Sequence, residues 1–267
     1  PYLLSTGRTS CSMDDRRTAR LWEVDFLRGL AIVMMVIFHL AYDLDFFRIH
    51  EIDLSGGFWF YLARFTASLF LLLVGISLTL SYSRAKLAGQ RNQYPFRLLK
   101  RSLWIMSLAL GITLVTYIVI GRGFIVFGIL HLISISILLA YPLLRLGRMN
   151  LLLGLAAILL GLYIQELDVD FFWLIWLGLA PRDFVSLDYT PLFPWFGLVL
   201  MGMAAGALLY KDLVRRFPLP DISAWPPVRG LIFLGRNSLA IYILHQPLLL
   251  GLIYLAEGPS LFSFAWK

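Results

Sequence analysis

The sequence has a single cysteine, Cys11, in its polar N-terminal stretch. That excludes a disulfide framework and a thiolate metal site. Charge is scarce too: 15% of the 267 residues are Asp, Glu, Lys or Arg, where a soluble domain carries about 25%. No GxGxxG or P-loop pattern precedes a helix, so a phosphate-cradling nucleotide fold is not expected. No solenoid period or low-complexity tract is present either. No apolar h-region followed by a cleavage site opens the chain, so no removable signal peptide is expected. Met13-Asp14-Asp15-Arg16-Arg17 reads as a natural start, with residues 1–12 as an upstream extension.

What is present is apolar. Hydrophobic residues make up 60% of the chain and mean hydropathy is +0.79, against roughly 45–50% apolar residues in a soluble domain. A bilayer core of roughly 30 Å needs about 20 apolar residues per helix. Seven stretches qualify: about 24–44, 57–81, 103–120, 124–144, 150–165, 193–210 and 230–256. The fifth is short, and the aromatic run Phe171 to Ala180 reads as an interfacial or re-entrant segment. The expected fold is an all-α polytopic membrane bundle of about seven transmembrane helices. A cytoplasmic tail (1–22) precedes the bundle (23–258), and a short external tail (259–267) follows it.

The net charge of +7 does not point to nucleic acid, because the basic residues alternate with apolar runs as topology signals do. Arg16, Arg17 and Arg20 precede the first span. Arg84, Lys86, Arg91, Arg97, Lys100 and Arg101 fill the loop after the second. Arg145 and Arg148 follow the fourth, and Lys211, Arg215 and Arg216 the sixth. The opposite loops carry Glu51, Asp53, Glu166, Asp168, Asp170 and Asp183, with Arg48, Arg122 and Arg182 as isolated basic residues. Seven crossings put every basic cluster on one side, which the positive-inside rule makes cytoplasmic. The expectation is a multi-pass protein of the cell membrane with its N-terminus inside and its C-terminus outside. The proline-rich segment 217–227 reads as a rigid cytoplasmic connector.

Ionisable groups at membrane depth are costly, on the order of 2.5–3.5 kcal/mol when charged, and mark function by default. Five stand out: His39, Arg64, His131, Arg236 and His245. At a rise of about 1.5 Å per residue, the three histidines and Arg64 fall within roughly 8 Å of the midplane, on its outer side. A shared polar pocket follows from that clustering. Asp43 lies four residues after His39 on the same helical face, placed to orient its imidazole. Asp25 and Arg28, three apart at the cytoplasmic end of the same helix, form an ion pair or present Arg28 to an anionic ligand. A three-histidine metal site lacks the close in-helix spacing of a zinc motif, so no metal is expected. Structural readings stand beside these: histidines as hydrogen-bonding glue between helices, and arginines that snorkel to the headgroups.

The stretch Trp22-Glu23-Val24-Asp25-Phe26-Leu27-Arg28-Gly29-Leu30-Ala31-Ile32, running on to Phe38-His39, resembles the opening of the transmembrane acyltransferases. The nearest likeness is to the bacterial and archaeal branch of the heparan-alpha-glucosaminide N-acetyltransferase catalytic-domain family. The acyltransferase-3 family, with Asp-x-x-Arg-Gly and then His in its first helix, is more distantly similar. Phe70 to Ser77 and Leu234 to Pro247, with Arg236 and His245 in the latter, fit as well. The resemblance implies acyl transfer from cytosolic acyl-CoA, through the bundle, to a sugar or other hydroxyl or amine acceptor at the outer face. It implies no permanently bound cofactor, with acetyl-CoA or another acyl-CoA as donor. By likeness to acyltransferase-3, His39 is the catalytic residue. The heparan branch instead has an asparagine near this position and a histidine about eleven residues later, which makes His50 the second candidate.

On this reading a neutral histidine deprotonates the acceptor as it attacks the thioester, and Asp43 steadies the imidazolium. Arg64 or Arg236 stabilises the oxyanion or the CoA phosphates, and His131 and His245 complete the donor pocket. Arg28 and the basic loop 84–101 draw in the polyanionic end of CoA. The expected partners are acyl-CoA, a sugar or glycan acceptor, membrane lipids and a second copy of the chain in a homo-oligomer, with no nucleic acid. A proton-coupled small-molecule transporter and a non-catalytic membrane scaffold are the competing classes. The absence of an inverted repeat counts against the first, and scattered histidines are the mark of the second.

Overall fold

The computed structural model describes residues 21–258. Cys11, Met13, Arg16, Arg17, Arg20 and the expected tails, except residues 21 and 22, lie outside the described residues. Among the described residues, eight α-helices make up the fold: α1 (Trp22–Phe46), α2 (Gly57–Leu87), α3 (Tyr94–Ile120), α4 (Ile129–Leu143), α5 (Asn150–Gln165), α6 (Leu192–Leu209), α7 (Pro226–Arg236) and α8 (Ser238–Glu257). A two-stranded hairpin, β1 (Tyr210–Lys211) against β2 (Val214–Arg215), follows α6. Among the described residues, six helical stretches are long and apolar enough to cross a membrane. The fold is an all-α polytopic membrane bundle.

One of those stretches, Ile129–Gln165, spans 37 residues. At about 1.5 Å per residue it would be far longer than a roughly 30 Å bilayer core if straight. It is broken at Gly147, whose φ of 53° and ψ of −119° leave the helical region. Contacts give the directions on either side. Tyr94 meets Tyr141, Ser102 bonds Ser134 and Thr113 meets His131, so α4 runs antiparallel to α3. Gly154 faces Gly197 and Gly161 faces Pro194, so α5 runs antiparallel to α6. Gly75 sits on Val199 and Gly206 on Thr79, so α6 runs parallel to α2. The chain therefore reverses at Gly147, and the expected fourth and fifth spans are two antiparallel helices.

Helices in lipid gain little from burying apolar surface against each other, so close backbone approach does the work, and glycine permits it. A Cβ on Gly75 would lie 2.0 Å from the Val199 carbonyl oxygen, and one on Gly202 would lie 2.1 Å from that of Leu72. Gly29 and Gly235 do the same for α1 and α7, where a Cβ would come within 1.9 Å of Leu231 O and 1.8 Å of Asp25 O. Buried hydroxyls pair across α3 and α4: Ser102 and Ser134 each donate to the other's carbonyl at 2.9 Å.

Four boundaries differ from the sequence reading. Arg84 and Lys86 lie at the end of α2, which runs to Leu87 and not to 81, so they are helical and not in a loop. Arg97, Lys100 and Arg101 lie on the first two turns of α3, not in a loop, because Pro95 starts the helix well before its apolar stretch. Residues 124–128 are not helical. Gly121 (φ 71°) and Gly123 (φ 85°) turn the chain, which then pairs with the 187–190 segment through Leu187 N–H to Gly123 O and Thr190 N–H to Phe127 O. The expected seventh span, 230–256, is broken at Asn237. Pro226 and Pro227 open a short helix, α7, that runs against α1, and α8 then climbs beside α1 toward its Phe46 end.

These directions gather the basic turns after α2, α4 and α6 at one end of the bundle, the end that holds Trp22. The same end is closed by a buried carboxylate. Glu23 accepts from Arg215 Nε at 2.6 Å and Nη2 at 2.7 Å, and from the Tyr210 hydroxyl at 3.1 Å. This clamps the β hairpin to the start of α1, where a helix N-terminus favours negative charge.

Candidate active site

Two of the five ionisable residues read from the spans touch each other. His39 on α1 and His245 on α8 meet edge to face, with ring centroids 4.7 Å apart. Each ring bonds a carbonyl of its own helix: His39 Nδ1 to Met35 O at 2.9 Å, and His245 Nδ1 to Tyr242 O at 2.7 Å. A carbonyl only accepts, so Nδ1 carries the proton in both rings and Nε2 carries the lone pair. His245 Nε2 is buried with no hydrogen-bond partner. Next to the pair, Asp43 Oδ1 accepts from Gln246 Nε2 at 2.6 Å, tying α1 to α8 a second time. Asp43 Oδ2 and Gln246 Oε1 are also buried without partners. Three unsatisfied polar atoms in one small region are costly unless a ligand or water completes them.

Asp43 was expected to orient His39. The structure gives that task to the Met35 carbonyl, because Nδ1 points back along the helix to the residue four before it. Asp43 turns instead to Gln246, a partner the sequence reading missed.

His131 lies apart from the pair. Its Nδ1 accepts from the Gly128 N–H at 3.2 Å and its Nε2 faces Thr113 Oγ1 at 3.4 Å, so it holds the opposite tautomer and caps the start of α4. It shares a cavity of about 10 Å³ with Asp188 and Tyr242, room for about one water. Tyr242 also lies against His245, with ring centroids 5.7 Å apart. The phenol thus stands between His131 and the histidine pair. Outside the spans, Asp188 accepts from Thr190 Oγ1 at 2.7 Å and Ile129 N–H at 3.0 Å. Burial pushes its carboxyl above the usual carboxylate range, against the pull of these bonds.

The arginines fall elsewhere. Arg28 donates to Asp25 Oδ1 at 3.0 Å and to Ser77 Oγ at 2.7 Å. Arg236 Nε reaches Asp25 Oδ2 at 3.4 Å. Asp25 is fourteen residues before His39 on α1, roughly 20 Å along the axis, so Arg236 is too far for an oxyanion forming at His39. Arg64 is exposed, its guanidinium 4.5 Å over the Phe60 ring, as expected of a side chain that leaves the bundle rather than lining its interior. His50 is exposed in the turn after α1. Among the described residues no group of three or more His, Cys, Asp or Glu is arranged to hold a metal ion.

A family model described as "Heparan-alpha-glucosaminide N-acetyltransferase, catalytic" matches residues 20–247. The chain belongs to that family. Membership makes it a transferase by class, a membrane acetyltransferase with several apolar crossings. The match begins just before α1 and ends two residues after His245, so it takes in the histidine pair, Asp43, Gln246 and the Asp25 network. No curated protein and no solved structure matches this member of the family.

Proposed function

We propose that the chain transfers an acetyl group from cytosolic acetyl-CoA to a hydroxyl or amine of a sugar or glycan at the outer face of the cell membrane. The family's description names a glucosaminide, so the glucosamine amine is the first acceptor to assay. The reading is carried by the His39–His245 pair, one ring half-buried and the other buried, whose Nδ1 atoms are held by backbone carbonyls and which shares α1 and α8 with Asp43, a carboxylate with an open oxygen. The gathering of basic turns at the Trp22 end supports placing that end in the cytoplasm.

His39 is the base. With its Nδ1–H held by Met35 O, Nε2 takes the proton of the acceptor as the acceptor oxygen or nitrogen bonds to the thioester carbon. The tetrahedral intermediate collapses with cleavage of the C–S bond. The thiolate leaves and takes the proton from the imidazolium, so acetylated acceptor and CoA thiol are the products and His39 returns to neutrality. Asp43, one helical turn from His39, supports the imidazolium through space. Arg28 and the basic turns at the Trp22 end attract the phosphates of the donor.

His39→Ala and His50→Ala, each purified in nanodiscs and assayed for transfer of labelled acetyl, separate the two candidate bases. H39A is expected to lose between 10²- and 10⁴-fold in kcat, the usual worth of a general base, and H50A to stay within about twofold. Loss in H50A alone moves the base to His50. Full activity in both removes the mechanism.

A further inference from the structure

At the Trp22 end, α2 finishes and α3 begins around a cavity of about 250 Å³. Arg84 from the last turns of α2 and Arg97 and Arg101 from the first two turns of α3 line it, with Ser81, Gln90 and Tyr94. Among the described residues no Asp or Glu is in the lining. We propose that this cavity is a binding site for a phosphate-bearing head group.

Three features separate it from basic residues scattered at headgroup level. The guanidiniums converge on a concavity from two helices, and Arg97 is braced there by Gln93 Oε1 at 3.3 Å. The N-terminus of α3 opens beside them with no acidic residue in its first turn, and the positive end of a 27-residue helix favours an anion. The turn itself is fixed: Gly89 adopts φ 68°, and the N–H groups of Ala88, Gly89 and Gln90 close onto the last carbonyls of α2. Guanidinium forks match phosphate oxygens bidentately, and those of Arg97 and Arg101 together balance a phosphomonoester dianion.

Size and position narrow the ligand. Sites for whole drug-sized molecules measure about 300–1,000 Å³, so this cavity holds a phosphorylated head and not an entire nucleotide thioester. It lies past Ser77, which is level with Arg28, and is roughly 25 Å along the bundle from His39. A phosphate seated here belongs either to the far end of the acetyl donor or to an anionic lipid whose tails follow α3. The two share the chemistry of recognition and differ in what else they carry.

The experiment measures both on H39A protein, where turnover does not interfere, with no acceptor present, so its outcome is independent of the transfer reading. Calorimetry with a nucleoside 3′,5′-bisphosphate is run in phosphatidylcholine nanodiscs, and native mass spectrometry follows retained phosphatidylglycerol in delipidated protein. Binding of one probe is expected to weaken at least tenfold in R97Q/R101Q, and less in R97K/R101K, which keeps charge but loses the fork. Loss of the nucleotide assigns the site to the donor, and loss of the lipid assigns it to the membrane. If R97Q/R101Q fails to fold, the Lys variant alone decides: weakened binding of either probe upholds the site. Variants that bind both probes as tightly as the parent overturn it.

Discussion

His39 and His131 show how one residue type, placed by the same rule of rarity, ends in two roles. His39 keeps Nε2 open because a carbonyl four residues back takes the other nitrogen. His131 spends Nδ1 on the amide of Gly128 at the start of α4. Asp188 sits beside that second histidine and supplies a pH test. Its raised pKa means that the folded protein holds the carboxyl proton more tightly than the unfolded chain does, so the stability this contributes is full below about pH 4, the unfolded value, and is lost as pH rises through the folded value. The melting temperature of the parent protein in detergent should therefore fall further between pH 4 and pH 7 than that of D188N. Parallel curves would show that the carboxyl titrates normally. The histidines and Asp43 were legible in the sequence because ionisable groups in apolar runs are expensive and few. Gln246, Met35 and Tyr242 were not: an amide, a backbone carbonyl and a phenol carry no such cost, and only the meeting of α1 with α8 gives them partners. The Asp25–Arg28 pair was legible from its spacing on α1, but the reach of Arg236 to the same carboxylate was not, since it depends on α7, an element the hydropathy pattern merged into α8.

At the scale of the element, packing is set by where the backbone is bare. Gly75 and Gly202 hold α2 against α6 at distances no side chain fits, because the atoms that a Cβ would meet are backbone carbonyls of rigid helices. Gly75→Ala or Gly202→Ala should destabilise the bundle by more than about 2 kcal/mol, the range of overpacked cores. Gly111→Ala on α3, where nothing lies within 4 Å of the added carbon, should stay within about 0.5 kcal/mol. Thermal unfolding in one detergent measures all three, and equal shifts would mean that close approach does not govern the α2–α6 contact. The same physics explains which spans could be read in advance. For α1, α5 and α6 the apolar stretch and the helix nearly coincide. For α3 the helix starts nine residues earlier than the predicted 103, because long basic side chains reach water from a helical backbone as easily as from a loop. The break at Asn237 was hidden by the apolar residues that continue on either side of it, although Asn is a weak helix former.

For the whole molecule, direction ties the histidine pair, the basic cavity and the membrane into one arrangement. The reversal at Gly147 is the key step: with it, α5 carries the chain from the basic end to the end that holds Asp188. That predicts opposite exposure for two residues on either side of α5, Arg148 before it and Glu166 after it, both exposed. Because Cys11 is the one cysteine of this sequence, R148C and E166C in a Cys11→Ala background each present a single reporter. A membrane-impermeant maleimide applied to intact cells should label E166C and leave R148C until the cells are opened. Labelling of R148C alone would invert the bundle, sending the histidine pair toward the cytosol and the arginine cavity away from any cytosolic donor. Labelling of both from outside would mean that α5 does not cross at all.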